Sequence, residues 1–210
     1  MQATDAVFFI SILLMSVVIH EVSHGYVAEY FGDNTARLAG RLTLNPIKHL
    51  DIFGSIILPI FLFVSTMATG HPFVFGWAKP VPYNPNNLSN IKWGTIAVAG
   101  AGVLANIFIA IIFGVLIRFS HSFSLGESFY FITSSIVMIN LALALFNLVP
   151  IPPLDGSKIL FSLLPASFYP IILFLERYAF VFLIIFILFF VDILYPILSF
   201  SFNLVTGLTF

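Results

Sequence analysis

The stretch Val18-Ile19-His20-Glu21-Val22-Ser23-His24-Gly25 holds residue types, at a spacing, that can do hydrolytic metal chemistry. On a helix, positions four apart are separated by about 400° of rotation, so the imidazoles of His20 and His24 leave the same face. Two imidazoles on one face can grip one metal ion. A glutamate directly after the first histidine stands close enough to take a proton from water at that metal. This is the H-E-x-x-H pattern of zinc hydrolysis. The plainer alternative is a chance match, with both histidines merely hydrogen-bonded inside a bundle. The setting weighs against chance, because the surrounding residues are apolar enough to lie in a bilayer, where ionisable side chains are expensive and mark function.

That setting follows from composition. Of 210 residues, 60% are hydrophobic and only 8% charged, against about 25% charged in a soluble domain. Mean hydropathy is +1.09. Several runs reach the roughly 20 apolar residues that cross a hydrocarbon core, so an integral membrane protein is expected. A formal net charge of −1 without a basic tail speaks against nucleic acid as a partner. With no cysteine there is neither disulfide nor thiolate ligand, and a transition metal must be held by His, Asp or Glu. The N-terminus lacks the basic region of a signal peptide, and its apolar run continues into the metal motif, so it is read as retained. One membrane-embedded domain over 1–210 is the simplest organisation, with a core over about 6–160 and C-terminal helices over about 171–210.

The elements that must position the motif are all helical. The first helix is expected from Ala6 to Tyr30, stopped by Gly32-Asp33-Asn34. A polar loop carries Arg37, Arg41, Lys48 and His49. The next apolar run, Ile52 to Val64, is short and interrupted by Gly54 and Pro59, as a re-entrant segment would be. Residues His71 to Tyr83 alternate aromatics with Gly and Pro, which excludes a helix and a central strand and predicts a hairpin-like or extended loop. Such backbone near membrane depth must be buried in protein or line a wet cavity, which places it beside the site. Further spans are expected at Trp93–Phe119, Phe129–Val149 and Ile171–Val191, and Ile193–Phe210 is either a sixth span or an interfacial helix. The expected fold is thus an all-α polytopic membrane protein of five to six transmembrane helices.

Charge placement orients these spans. With the loop after the first helix cytoplasmic, Arg37, Arg41, Lys48, Lys79, Lys92, Lys158 and Arg177 fall on or near that face and only Arg118 on the other, a strong positive-inside bias. The same topology brings Asp155 to the side of His20 and His24. A catalytic zinc takes three protein ligands and leaves a fourth position open. Among the nine acidic residues, Asp5 and Glu127 fall on the wrong side, and Glu29, Asp33 and Asp51 can be solvated at the interface. Glu176 can pair with Arg177, and Asp192 lies at a far helix end. Asp155 follows the proline-rich break Pro150-Ile151-Pro152-Pro153, and Gly156 lets the backbone turn sharply. Its competing reading is an N-cap for the following helix.

His20-Glu21-x-x-His24 together with Asn147-x-x-Pro150-x-Pro152-x-x-Asp155-Gly156 resembles the site-2 protease family of intramembrane zinc metalloproteases. Gly40-Arg41-Leu42-Thr43-Leu44-Asn45-Pro46 and Phe75-Gly76-Trp77-Ala78-Lys79-Pro80-Val81-Pro82 resemble its compact bacterial branch, which lacks PDZ and CBS domains. Ala101-Gly102-Val103-Leu104-Ala105-Asn106 is similar to the family's A-G-P-x-x-N, with Val103 in place of the proline, and Ile52 stands where a proline is expected after Asp51. The resemblance covers about Val18 to Leu160. It implies zinc on His20, His24 and Asp155 with Glu21 as general base. Asn147 is the family's other polar residue near the site and can donate to the oxyanion or hold substrate backbone. Asn106 is placed with it in the substrate and oxyanion group, although packing and hydrogen bonding suit it better. Trp77 and Lys79 would offer a strand edge to an unwound substrate, or anchor the loop at the interface. His71 could bind an adventitious metal or gate access, although a loop histidine is more often merely solvated, and His49 and His121 are read as interfacial residues without a role.

The leading reading is an intramembrane zinc metalloendopeptidase acting on transmembrane protein substrates, in regulated intramembrane proteolysis. It would lie in a bacterial inner membrane with its site toward the cytoplasm, and a regulatory membrane protein is a further partner. A zinc transporter or binder would have no need of Glu21, and a pseudoprotease would not keep the full His20, Glu21, His24, Asp155 set.

Overall fold

The computed structural model describes residues 3–67, 76–120 and 125–208. Helix α1 spans Ala3–Tyr30, about 42 Å at 1.5 Å per residue. That exceeds the roughly 30 Å hydrocarbon core, so its last turns, which follow His24, can reach the polar boundary. It stops at Gly32, whose φ of +103° carries the chain into the left-handed region that favours glycine. A single turn, α2 (Thr35–Leu38), follows, and then a 3-10 turn over Pro46–His49 whose start is capped by Asn45 accepting from Ile47 N at 3.1 Å. A wide π-wound turn over Ile52–Ile57 leads into α3 (Leu58–Met67). Asp51 caps it, taking Gly54 N at 2.7 Å. These six and ten residues rise about 24 Å together, too little to cross.

Two long helices supply the frame. They are α4 (Ile91–Ser120) and α5 (Glu127–Leu148), followed by α6 (Asp155–Leu163), α7 (Tyr169–Arg177), α8 (Ala179–Phe189) and α9 (Leu194–Thr206). Helix α4 touches α1, α5, α6 and α9 and runs unbroken through Val103, buried where the resemblance led one to expect proline. Close approach is built in by small residues. At Gly102 an added Cβ would stand 2.5 Å from the His20 ring, and at Gly114 it would collide with Val205 of α9. Buried Ala110, Ile117, Val137, Leu141 and Phe202 then join α4, α5 and α9.

The chain is an all-helical membrane protein, and no strand occurs among the described residues. Helices α1, α4 and α5 are long and apolar enough to cross a membrane, and α7 with α8 makes a fourth if the bent pair counts as one span. This is fewer than the five to six expected. The run Ile171–Val191 is not straight but bends by 71° between α7 and α8, where Glu176 and Arg177 end the first piece rather than carry charge into the apolar layer. At 13 residues, α9 rises only about 20 Å. The expected hairpin falls partly on residues 68–75, outside the described residues together with His71; His121 is also outside them. The described part, 76–84, is extended but joins no ladder. Among the described residues, Glu176 and Arg177 form no ion pair.

Two loop residues are also not solvated as expected. His49 is buried, its Nε2 donating to Thr43 O at 2.8 Å. Asp33 is fully buried at the end of α1 and accepts from Thr35 N, Thr35 Oγ1, Asn84 N and Asn87 Nδ2. It thereby ties α1 to the segment that enters α4. Burial pushes its carboxyl upward, and these hydrogen bonds to the ionised form outweigh burial and hold it below the usual carboxylate range. The stability a depressed carboxylate contributes is complete above its unfolded value of about 3.9 and is lost as pH falls through the folded value. Asp33→Asn is therefore expected to lower the melting temperature by an amount constant between about pH 8 and 5. The gap to wild type should close only below about pH 4, as read by thermal unfolding in detergent. A gap already closing near pH 6 would rule this out.

Candidate metal centre

Helical spacing on α1 brings the His20 and His24 rings to 4.6 Å between centroids, edge to face. The proline-rich break between α5 and α6 brings Asp155 to them. Gly156 is required there, because a Cβ at this position would collide with the Leu148 carbonyl at the end of α5. Asp155 is the first residue of α6 and makes no capping bond to it. Its Oδ2 lies 3.1 Å from both His20 Nε2 and His24 Nε2, and the two Nε2 atoms are 3.0 Å apart. All three residues are buried. Lys158 Nζ donates to Asp155 Oδ1 at 3.0 Å, which leaves a single carboxylate oxygen facing the histidines.

The outer hydrogen bonds decide what lies between these atoms. His24 Nδ1 meets Val98 O at 2.6 Å, and a carbonyl only accepts, so Nδ1 carries the proton. For His20 the assignment passes through two amides. Asn140 Nδ2 donates to Ile136 O and Ser16 Oγ, both at 2.9 Å, so its Oδ1 accepts from Asn106 Nδ2 at 2.7 Å. Asn106 Oδ1 therefore accepts from His20 Nδ1 at 2.7 Å. Both Nε2 atoms consequently present lone pairs to each other and to a carboxylate oxygen. One added proton can bridge only one of the three contacts, whereas one cation satisfies all of them. Two neutral imidazoles and one carboxylate oxygen, each ring oriented by a hydrogen bond on its far nitrogen, are the donor set zinc takes in hydrolytic sites.

The other residues singled out from sequence stand around this cluster rather than in it. Glu21, next to His20, accepts from Val81 N at 2.8 Å through Oε2, so the extended segment 76–84 lies directly against it. Gly25 gives that segment room, since a Cβ there would press on Val81 Cγ1 at 2.9 Å. Trp77 packs over Gly54 and bonds through its backbone to Gly54 O at 3.1 Å and Ser55 Oγ at 2.7 Å. Lys79 N donates to His49 O at 2.8 Å. Both residues thus pin the segment to the 49–55 stretch. Asn147 donates to Leu143 O on its own helix at 2.9 Å. Asn106 is fully buried, and with both amide hydrogens and its oxygen engaged it has no donor left for a substrate. The sequence reading missed Asn140, Ser16 and Val81. The first two were visible as lone polar side chains in apolar helical runs, while Val81 acts through its backbone and leaves no side-chain signal.

A helical membrane protein whose long first span carries buried histidines facing a carboxylate from a broken helix has the architecture of a membrane metallopeptidase. Comparison with known proteins agrees. The model of peptidase family M50 matches residues 123–191. YwhC of Bacillus subtilis is 38% identical over 189 residues, 86% of this chain and 80% of that protein. Rip2 of Mycolicibacterium smegmatis is 30% identical over 145 residues, 68% of this chain and 52% of Rip2. MJ0392 of Methanocaldococcus jannaschii is 28% identical over 163 residues, 78% of this chain and 36% of MJ0392. All three are named as zinc metalloproteases. No solved structure matches the chain. The chain belongs to peptidase family M50, the site-2 protease family, and is a membrane zinc metalloendopeptidase.

The outer hydrogen bonds generate a test. Asn106→Ala is expected to weaken zinc binding about 10–100-fold, the usual effect of removing an outer partner of a metal-bound imidazole. Gly102→Ala should weaken it by pushing the His20 ring, and Asn140→Ala should have a smaller effect in the same direction. Competition with a chromogenic chelator measures all three. Wild-type affinity in Asn106→Ala would show that the relay does not orient His20.

Proposed function

We propose that this zinc metalloprotease cuts peptide bonds in or near transmembrane segments of other membrane proteins, as in regulated intramembrane proteolysis. In this reading 1–210 works as one catalytic unit in a bacterial inner membrane. The observation that carries the reading is the position of the cluster: His20 and His24 belong to a helix long and apolar enough to cross the bilayer, and both are buried in the protein. This placement favours a substrate that reaches the site from within the membrane. The excess of cations at the His24 end of the fold favours a cytoplasmic active site.

Residues His20, His24 and Asp155 would hold the zinc. When bound, zinc polarises the scissile carbonyl and lowers the pKa of water to about 7. Glu21 takes one proton from the attacking water as the oxygen bonds to the carbonyl carbon, and passes it to the amine as the C–N bond breaks. Its Oε2 is held by Val81 N, which fixes the carboxylate's orientation. Asn147 is our candidate for holding the substrate carbonyl or oxyanion, since its bond to its own helix can be exchanged at little cost. A helical peptide protects its bonds by hydrogen bonding, so the substrate must unwind. The extended segment 76–84, pinned at Trp77 and Lys79, is suited to hold the unwound stretch by strand addition. A regulatory membrane protein would act on delivery of the substrate to that edge.

The deciding comparison is wild type beside Glu21→Gln in detergent, scored for bound zinc and for cleavage of a reporter with one helix-breaking transmembrane segment. Both proteins should hold stoichiometric zinc, and cleavage should fall at least about 100-fold in the variant. His20→Ala should lose the metal as well. A Glu21→Gln protein that still cuts would remove Glu21 from the mechanism. Wild type that cuts soluble peptides but no membrane segment would remove the intramembrane substrate.

A further inference from the structure

A cavity of about 510 Å³ opens beside the 76–84 segment, lined by Arg41, Ile47, Lys48, Lys79, Pro80 and Pro82 among others. Three of these are cations, and no carboxylate lines the cavity. Arg41 is only 9% exposed. Among the described residues its guanidinium makes a single hydrogen bond, a long one from Nη2 to Pro80 O at 3.4 Å, and it forms no ion pair. Two other cations at this end of the fold are paired: Arg37 forks onto Glu29 although it is exposed, and Lys158 bonds Asp155. Desolvation demands the reverse, since a buried guanidinium is the one that most needs a counter-charge. The nearby chain carboxylates do not serve it, because Glu21 is turned to Val81 N and Asp51 to Gly54 N.

The surroundings say what kind of anion fits. Ile47 is 75% exposed in the cavity wall, and Leu44 and Leu38 on the same loop are 57% and 86% exposed. Bare aliphatic side chains interleaved with cations, next to membrane-spanning helices, form a surface for the headgroup and upper acyl region of a bilayer. A soluble phosphate would make use of the cations and leave these side chains unexplained. We propose that this cavity binds the headgroup phosphate of an anionic phospholipid, with Arg41 at its base, Lys48 and Lys79 at its mouth, and the acyl chains against Ile47 and Leu44. None of the residues that face the metal lines this cavity, although it shares the 76–84 segment with the proposed substrate edge.

Zinc-loaded protein in neutral detergent is titrated with phosphatidylglycerol, phosphatidylcholine or inorganic phosphate, and bound molecules are counted by native mass spectrometry. Phosphatidylglycerol should be retained at least about fivefold better than phosphatidylcholine. Lys48→Gln, at an exposed side chain, should lower that retention about fivefold, the effect of one surface cation on an anionic lipid. Arg41→Gln should lower it further. Unchanged zinc content and circular dichroism in Lys48→Gln separate loss of the site from loss of the fold. Equal retention of the two lipids, or no change in Lys48→Gln, overturns the proposal. So does displacement of phosphatidylglycerol by equimolar inorganic phosphate, which assigns the site to a free anion. Displacement by an acidic peptide overturns it in favour of a substrate-docking role.

Discussion

Three acceptor atoms, His20 Nε2, His24 Nε2 and Asp155 Oδ2, lie within 3.1 Å of one another with no hydrogen to separate them. Lone pairs converging at that distance are the arrangement of ligands around one shared cation, and the surrounding fold must restrain the three side chains to it. Much of the architecture around α1, α4 and α5 can be read as that restraint. Gly102 lets α4 press on the His20 ring, Gly156 lets α6 begin against the end of α5, and Val98 and Asn106 clamp the far side of each ring. A cation at the centre would join the three atoms that this restraint brings together, which is why the donor set and its outer shell belong together.

The polarity of the outer shell begins at an ordinary helix carbonyl. Ile136 O fixes which way the Asn140 amide points, Asn140 fixes Asn106, and Asn106 fixes the protonated nitrogen of His20. Nothing in this chain can be reversed without leaving a buried donor or acceptor unpaired, at about 1–3 kcal/mol each. The packing of α5 against α4 and α1 is therefore read out at the His20 ring through hydrogen-bond direction.

How much of this was legible in the sequence depended on whether the information was local. The i, i+4 spacing of His20 and His24 and the prolines before Asp155 are local, and they named the cluster residues that the fold brings together. Boundaries of α1, α4 and α5 were close for the same reason, since long apolar runs end at helix breakers such as Gly32 and Pro150. What depended on rotation of one helix against another was not legible. Asn140 matters because of the face on which it falls, Asp33 because a distant Asn84–Asn87 turn closes over it, and the α7–α8 bend because one charged pair cannot stay in lipid. Val81 acts by its amide, which every residue but proline possesses.

That amide belongs to a peptide plane with two occupied ends. The Pro80–Val81 bond is trans, so its carbonyl and N–H point in opposite directions. The carbonyl takes Arg41 and the N–H takes Glu21. The plane is rigid, and Pro82 confines Val81 to extended backbone beside it, so the two ends are held in a fixed relation to each other. Arg41 on the outer surface of the 76–84 segment and Glu21 on the inner one therefore stand on the two ends of one rigid amide.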